Sequence, residues 1–236
     1  MIERNQNMKT AMLTAAALAA FVLNLHADVA ELEQRVPSAK GYELLYKLSP
    51  LRHGRGEYET SNAKRSARKL KRIGYLLILK TADGKESWAF ASMDTFTQNL
   101  KKAGVPTAET GIVQTFVNNL EVAGNVDGLK TGKFAKGNLE FFPGNYGAAN
   151  SAAIPGADAK RYDFGDHPSN AENGHGCMQI HNFMEKQTVL AYNAIGGKKY
   201  CELGIGNNPK GQPDWTFSGS GKNYAFADLF IVGLFE

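Results

Sequence analysis

The chain has 236 residues, 43% of them hydrophobic and 21% charged, with a formal net charge of +4. That apolar fraction excludes a disordered chain, and no apolar stretch in its body reaches the ~18–20 residues of a membrane helix. Two cysteines exclude a cysteine-rich scaffold and a four-cysteine zinc site.

The amino terminus reads as a secretory signal. Arg4 and Lys9 stand in a polar stretch ahead of the apolar run AMLTAAALAAFVLNL (11–25), and Leu25-His26-Ala27 precedes Asp28. A short basic region, an apolar core and a small residue at the cut are the marks of such a segment. Residues 1–27 are therefore expected to be removed. A secreted or periplasmic protein of residues 28–236 remains, free of the membrane and large enough for a single domain.

Removal leaves a charge of +3, which is unevenly spread. Between Arg52 and Arg72 lie Arg52, Arg55, Lys64, Arg65, Arg68, Lys69, Lys71 and Arg72, against only Glu57 and Glu59, so this segment carries +6. The run is either a solvated loop before a buried strand or a patch for a polyanion. In an exported protein that polyanion is expected to be an acidic glycan, not nucleic acid.

Beyond the short helical patterns of Asp28–Arg35 and Thr95–Ala103, the chain reads as strands. They are Tyr42–Leu48, Ile73–Lys80, Glu86–Met93, Ile112–Val122, Asn138–Phe142, Cys177–Phe183, Thr188–Asn193, Tyr200–Ile205, Asp214–Phe217 and Tyr224–Leu234. Asp83-Gly84 between the second and third marks a hairpin. Many short strands with glycine-rich turns, and no alternation with helices, predict an all-β fold. The expected architecture is a concanavalin-like jelly-roll sandwich of two antiparallel sheets. The stretch 144–176 is a long Gly, Ala, Asn and Asp loop, and loops of that length are usually functional or disordered.

The run Cys177-Met178-Gln179-Ile180-His181-Asn182-Phe183 carries the strongest chemical signal. Strand alternation places Gln179 and His181 on one face and sends Met178 and Ile180 into the core. Two adjacent polar groups on one face are either solvent-exposed or line a ligand groove, where histidine suits general base work near neutral pH.

The Gln-Ile-His strand resembles the catalytic strand of the jelly-roll alginate lyases of polysaccharide lyase family seven. That resemblance implies that Gln179 helps neutralise a uronate carboxylate and that His181 acts near the C5 proton. Tyr200-Cys201-Glu202-Leu203-Gly204-Ile205-Gly206-Asn207 stands where the family has a strand reading roughly Tyr-x-Lys-x-Gly-x-Tyr-Asn. Glu202 replaces the lysine there, and Gly206 replaces the catalytic tyrosine. Asn138-Leu139-Glu140 echoes the family's arginine- and glutamate-bearing strand without the arginine, so the lyase mechanism does not carry over intact.

A second resemblance covers Tyr42 through Phe230. It is to an accessory domain of secreted sialate O-acetylesterase-like proteins of planctomycete and verrucomicrobial type. The stretches Ser92–Thr97, Gly104–Thr107, Gly137–Pro143, Tyr162–Asp166, Gly176–Asn182 and Asp214–Phe217 carry it. The chain contains no Gly-Asp-Ser-type nucleophile segment, so esterase activity is not implied.

Among the remaining polar groups, Asp158, Asp163, Asp166, Asn170 and Glu172 supply oxygens of the kind calcium takes, at spacings unlike the twelve-residue calcium loop. No other metal or cofactor is expected; His167 and His175 lack zinc-site spacing. Tyr146, Trp88 and Trp215 are candidates for stacking on a sugar ring, with Tyr146 in a loop and Trp215 in an apparent strand. Strand parity puts Cys177 and Cys201 on different sides of a sheet, so two unpaired thiols are expected.

The leading expectation is an exported protein that binds a polysaccharide, an acidic one above all, on a concave face. Asn138, Tyr146, Gln179, His181, Tyr200 and Asn182 are the ligand-binding candidates. The alternative is a polysaccharide lyase or glycoside hydrolase, with His181, Gln179, Glu140 and Glu202 as catalytic candidates. A third is a structural or assembly protein.

Overall fold

The structure is a computed structural model, and it describes residues 29–48, 58–60, 68–100, 113–142, 177–193, 202–206 and 220–236. The expected signal segment, the loop 144–176 and the expected strand Asp214–Phe217 lie outside them.

The strands are β1 (Glu43–Leu48), β2 (Tyr58–Thr60), β3 (Leu70–Thr81), β4 (Glu86–Asp94), β5 (Val113–Gly124), β6 (Gly132–Phe142), β7 (Cys177–Asn182), β8 (Gln187–Asn193), β9 (Glu202–Ile205) and β10 (Tyr224–Phe235). All ten belong to one antiparallel sheet, ordered β2-β1-β10-β3-β4-β5-β6-β7-β8-β9. From β3 to β9 the sheet is a meander in which each strand pairs with the next in sequence. The last strand enters between β1 and β3, so both ends of the described chain are tied into one region of the sheet.

The β3–β4 hairpin turns at the Asp-Gly pair. Gly84 sits at φ 87°, a left-handed conformation that glycine adopts without steric cost. The Gly84 amide donates to the Thr81 carbonyl at 3.0 Å.

Strand β3 is buried on both faces for most of its length, and two apolar clusters account for this. Ile73, Tyr75, Leu77 and Leu79 enter the main core with Ala89, Ala91 and Met93 of β4. Leu76 and Ile78 face the other way and join Phe90, Phe230 and Val232. A helix over residues 29–35 covers this second cluster through Val29, Leu32 and Val36, spaced to share one helical face. Arg35 fastens the helix to the sheet by an ion pair with Glu86 at 2.6 Å. Burial of each large apolar side chain contributes roughly 1.5–3 kcal/mol.

The sheet curls around the main core. Strand β4 approaches β8 and β9, which lie four and five places away in the sheet. Val189, Leu190, Tyr192 and Leu203 thus share one cluster with Ala89 and Ala91. The concave side is filled with apolar side chains.

Strand β5 bends midway. Val117, Leu120 and Val122 all enter the main core, so the inward-facing parity shifts by one position between Val117 and Leu120. Asn119, at φ 51°, lies within that shift. Asparagine tolerates the left-handed region better than most residues because it has a short, locally bonding side chain.

Two local expectations are corrected. Of the expected helix Thr95–Ala103, residues 95–99 are not helical, Leu100 is, and 101–103 lie outside the described residues. The Thr95 hydroxyl donates to the Thr97 carbonyl at 2.6 Å, and the Thr97 hydroxyl accepts from the Asn99 amide at 3.1 Å. Such side-chain bonds compete with helix formation. Within the basic run, Tyr58–Thr60 forms β2, an edge strand on β1 where only a loop was expected.

Candidate functional site

Strands β6 and β7 pair in a register that sets Asn138 opposite His181 and Glu140 opposite Gln179. Leu139, Met178 and Ile180 point into the main core, so alternation sends these four polar side chains to the opposite face. All four have a relative exposure of 0%. Directly opposed side chains in an antiparallel pair have Cβ atoms roughly 4.5–5.5 Å apart. The tetrad is therefore one compact buried polar surface, on the face turned away from the concave apolar core.

The side-chain amides of Asn138 and Gln179 make no hydrogen bond among the described residues. A buried amide left so costs about 1–3 kcal/mol. Glu140 adds a fully buried carboxyl group to the same surface.

Burial pushes the His181 imidazole well below its ordinary pKa. The ring is thus neutral at neutral pH, with one nitrogen donating and the other accepting. This predicts a pH-dependent stability. The unfolded chain titrates His181 at about 6.5 and binds its proton more readily than the folded chain. Stability is therefore full above about pH 6.5 and falls below it, by up to ~1.4 kcal/mol per pH unit, until the folded pKa is reached. Denaturant melts between about pH 7.5 and 5 should show this slope in the wild type and a flatter one in His181→Gln.

The surroundings of the tetrad are shaped to it. Between Ile180 and His181 the register with β8 shifts, so that Ile180 faces Leu190 while His181 faces Thr188. Bulges of this kind re-aim side chains and are frequent beside functional sites. Phe116 stands opposite Asn138 on β5 and meets Phe183 edge-to-face at 5.2 Å. Asn182, a candidate ligand contact, serves the β7–β8 turn: its Oδ1 accepts from the Met184 and Glu185 amides at 3.1 and 3.2 Å.

Position 202 is in register with Asn193, which pairs with Cys177 two residues before Gln179. Tyr146, Tyr200, Cys201, Trp215 and the calcium-ligand candidates Asp158, Asp163, Asp166, Asn170 and Glu172 lie outside the described residues. Trp88 is partly buried and packs against the second apolar cluster. No group of three His, Cys, Asp or Glu side chains among the described residues is placed to hold a metal ion.

Four members of the basic run are described, and three are engaged within the fold. Arg68 pairs with Glu43 and lies over the Phe235 ring at 4.7 Å. Lys69 pairs with Glu236 at 3.7 Å, and Arg72 with Asp94 at 3.0 Å. The charge at this end of the run is largely met by the protein itself.

The Arg72 contacts form a polar network that sequence reasoning did not find. Its guanidinium donates to the Tyr42 hydroxyl at 3.1 Å, to Ser92 Oγ at 3.1 Å and to the Asn119 carbonyl at 2.9 Å. Asn119 Nδ2 donates in turn to Asp94 at 2.6 Å. Comparison with family models, curated proteins and solved structures returns no match.

Proposed function

We propose that the protein is an exported carbohydrate-binding protein whose ligand is held by Asn138, Glu140, Gln179 and His181. The observation that carries this reading is the pair of fully buried amides, Asn138 and Gln179, without hydrogen-bond partners among the described residues. They stand beside a buried carboxyl group and a histidine held neutral. Amides and neutral imidazole both donate and accept, as sugar hydroxyls do, so a saccharide held against that face can satisfy both kinds of group. The amide N–H groups also suit a uronate carboxylate, which favours an acidic glycan. The signal-like segment 1–27 supports export.

On this reading the fold is a jelly-roll-like sandwich whose two layers are limbs of one continuous curled sheet. The approach of β4 to β8 and β9 supports it.

A second reading is β-elimination on an acidic polysaccharide: His181 is neutral, as a general base must be, and the burial that keeps it so also lowers its basicity. Gln179 would neutralise the carboxylate and His181 would abstract the proton. A hydrolase would instead use Glu140 with Glu202.

A glycan panel separates these readings. It should include alginate, other uronate polymers, sulfated galactans and sialylated mucin. Retention without product, weakened at least about tenfold by Gln179→Ala, is the expected result for loss of a buried hydrogen-bonding group. Growth of unsaturated-uronide absorbance that vanishes in His181→Ala would make the protein a lyase. No retention and no product would refute both and favour a structural role.

A further inference from the structure

A cleft of about 400 Å³ lies on the sheet beside Asn119, lined by Arg72, Asn119, Glu121, Lys133, Phe134 and Ala135. That volume falls in the roughly 300–1,000 Å³ range of small-molecule sites. We propose that this cleft binds a neutral sugar residue, hydrogen-bonded by Asn119, Glu121 and Lys133. The site is separate from the tetrad, because Ala135 and Asn138 are three residues apart on β6, or ~10 Å along an extended strand. It stands without the reading given above.

The charges around the cleft indicate a neutral ligand. Arg72 is paired with Asp94 at 3.0 Å, and Glu121 lies directly opposite Lys133 in the β5–β6 register. Both positive groups thus have a carboxylate close by, and an anion meets little net field. The groups left to a ligand alternate between donors (the Lys133 ammonium and the second Asn119 N–H) and acceptors (Glu121 and Asn119 Oδ1). A hydroxyl can use both kinds, whereas a phosphate only accepts and an ammonium only donates.

Phe134 lines the cleft and packs against the main core, which ties this part of β6 to the interior. The cleft is also pre-formed. Arg72 is fixed by Tyr42, Ser92, Asp94 and the Asn119 carbonyl, and the Asn119 amide is held by Asp94. Binding therefore orders little at Arg72 and Asn119, which lowers its entropic cost there.

The test is a ¹⁵N–¹H correlation titration of the purified protein with glucose, galactose, mannose and N-acetylglucosamine. Inorganic phosphate and glucuronate serve as charged probes. At least one neutral sugar should shift the amides of Asn119, Glu121, Lys133 and Ala135 saturably. Lys133→Ala and Glu121→Ala should each weaken it at least about tenfold, as loss of a hydrogen bond to a charged group does. Both residues are at least partly exposed, so these variants should fold. Gln179→Leu should leave the titration unchanged.

The proposal is overturned if no neutral sugar saturates these amides, or if phosphate or glucuronate binds more tightly than every neutral sugar. It is also overturned if Gln179→Leu abolishes the response, which would assign the binding to the tetrad.

Discussion

Replacing Gly137 with alanine should destabilise the fold by about 3 kcal/mol, or roughly 6–12 °C in melting temperature. A Cβ at this position would lie 2.6 Å from the His181 carbonyl oxygen and 2.9 Å from Leu120 Cδ2. The first obstacle is backbone, which has no rotamer through which to give way, so β6 and β7 would have to part beside the tetrad. Overpacking a well-filled site costs about 1–3 kcal/mol, and an unyielding neighbour puts the cost at the upper end. The same displacement should weaken any ligand held across the two strands. An unchanged melting temperature in a differential scan would mean that β6 and β7 do not approach so closely.

Gln179→Leu should have the opposite effect on stability while removing function. Its amide is fully buried and makes no hydrogen bond among the described residues, so the native state carries its desolvation cost. An apolar side chain of similar length removes that cost, and a gain of about 1 kcal/mol, or ~2–4 °C, follows. Asn138→Leu should behave alike, since Asn138 lies in the neighbouring cross-strand pair. A buried polar surface maintained for a ligand is a site where stability and function oppose each other. A loss of more than about 1 kcal/mol in Gln179→Leu would show that the amide has a structural partner.

The alternation of the tetrad strands could be read directly from the residues. Met178 and Ile180 against Gln179 and His181, or Leu139 against Asn138 and Glu140, is a period of two that survives in the folded chain. Their meeting was not readable, because the pairing of Asn138 with His181 joins residues far apart in sequence. The entry of β10 between β1 and β3 is hidden for the same reason: any apolar strand fits beside another until register is decided by the whole sheet.

Strand β6 begins at Gly132, earlier than its pattern suggests, since GKFAKG has two glycines and two lysines and little β propensity. Tyr58–Thr60 is likewise too short and too polar to mark itself as a strand. The Arg72 network is not legible in the sequence, because Tyr42, Ser92, Asp94 and Asn119 come from scattered segments. Asn119 gives only a weak sign of the bend, in that asparagine tolerates a positive φ.

The central claim, that the buried tetrad holds a glycan, is tested most directly by ligand-linked stability. A ligand that binds only the folded state raises the melting temperature as its concentration grows. Wild type and Gln179→Leu should be melted side by side with uronate and neutral oligosaccharides. At least one glycan should raise the wild-type melting temperature in a concentration-dependent way and leave that of Gln179→Leu unmoved. If no glycan stabilises the wild type, or if each one stabilises both proteins equally, the tetrad is not a glycan site.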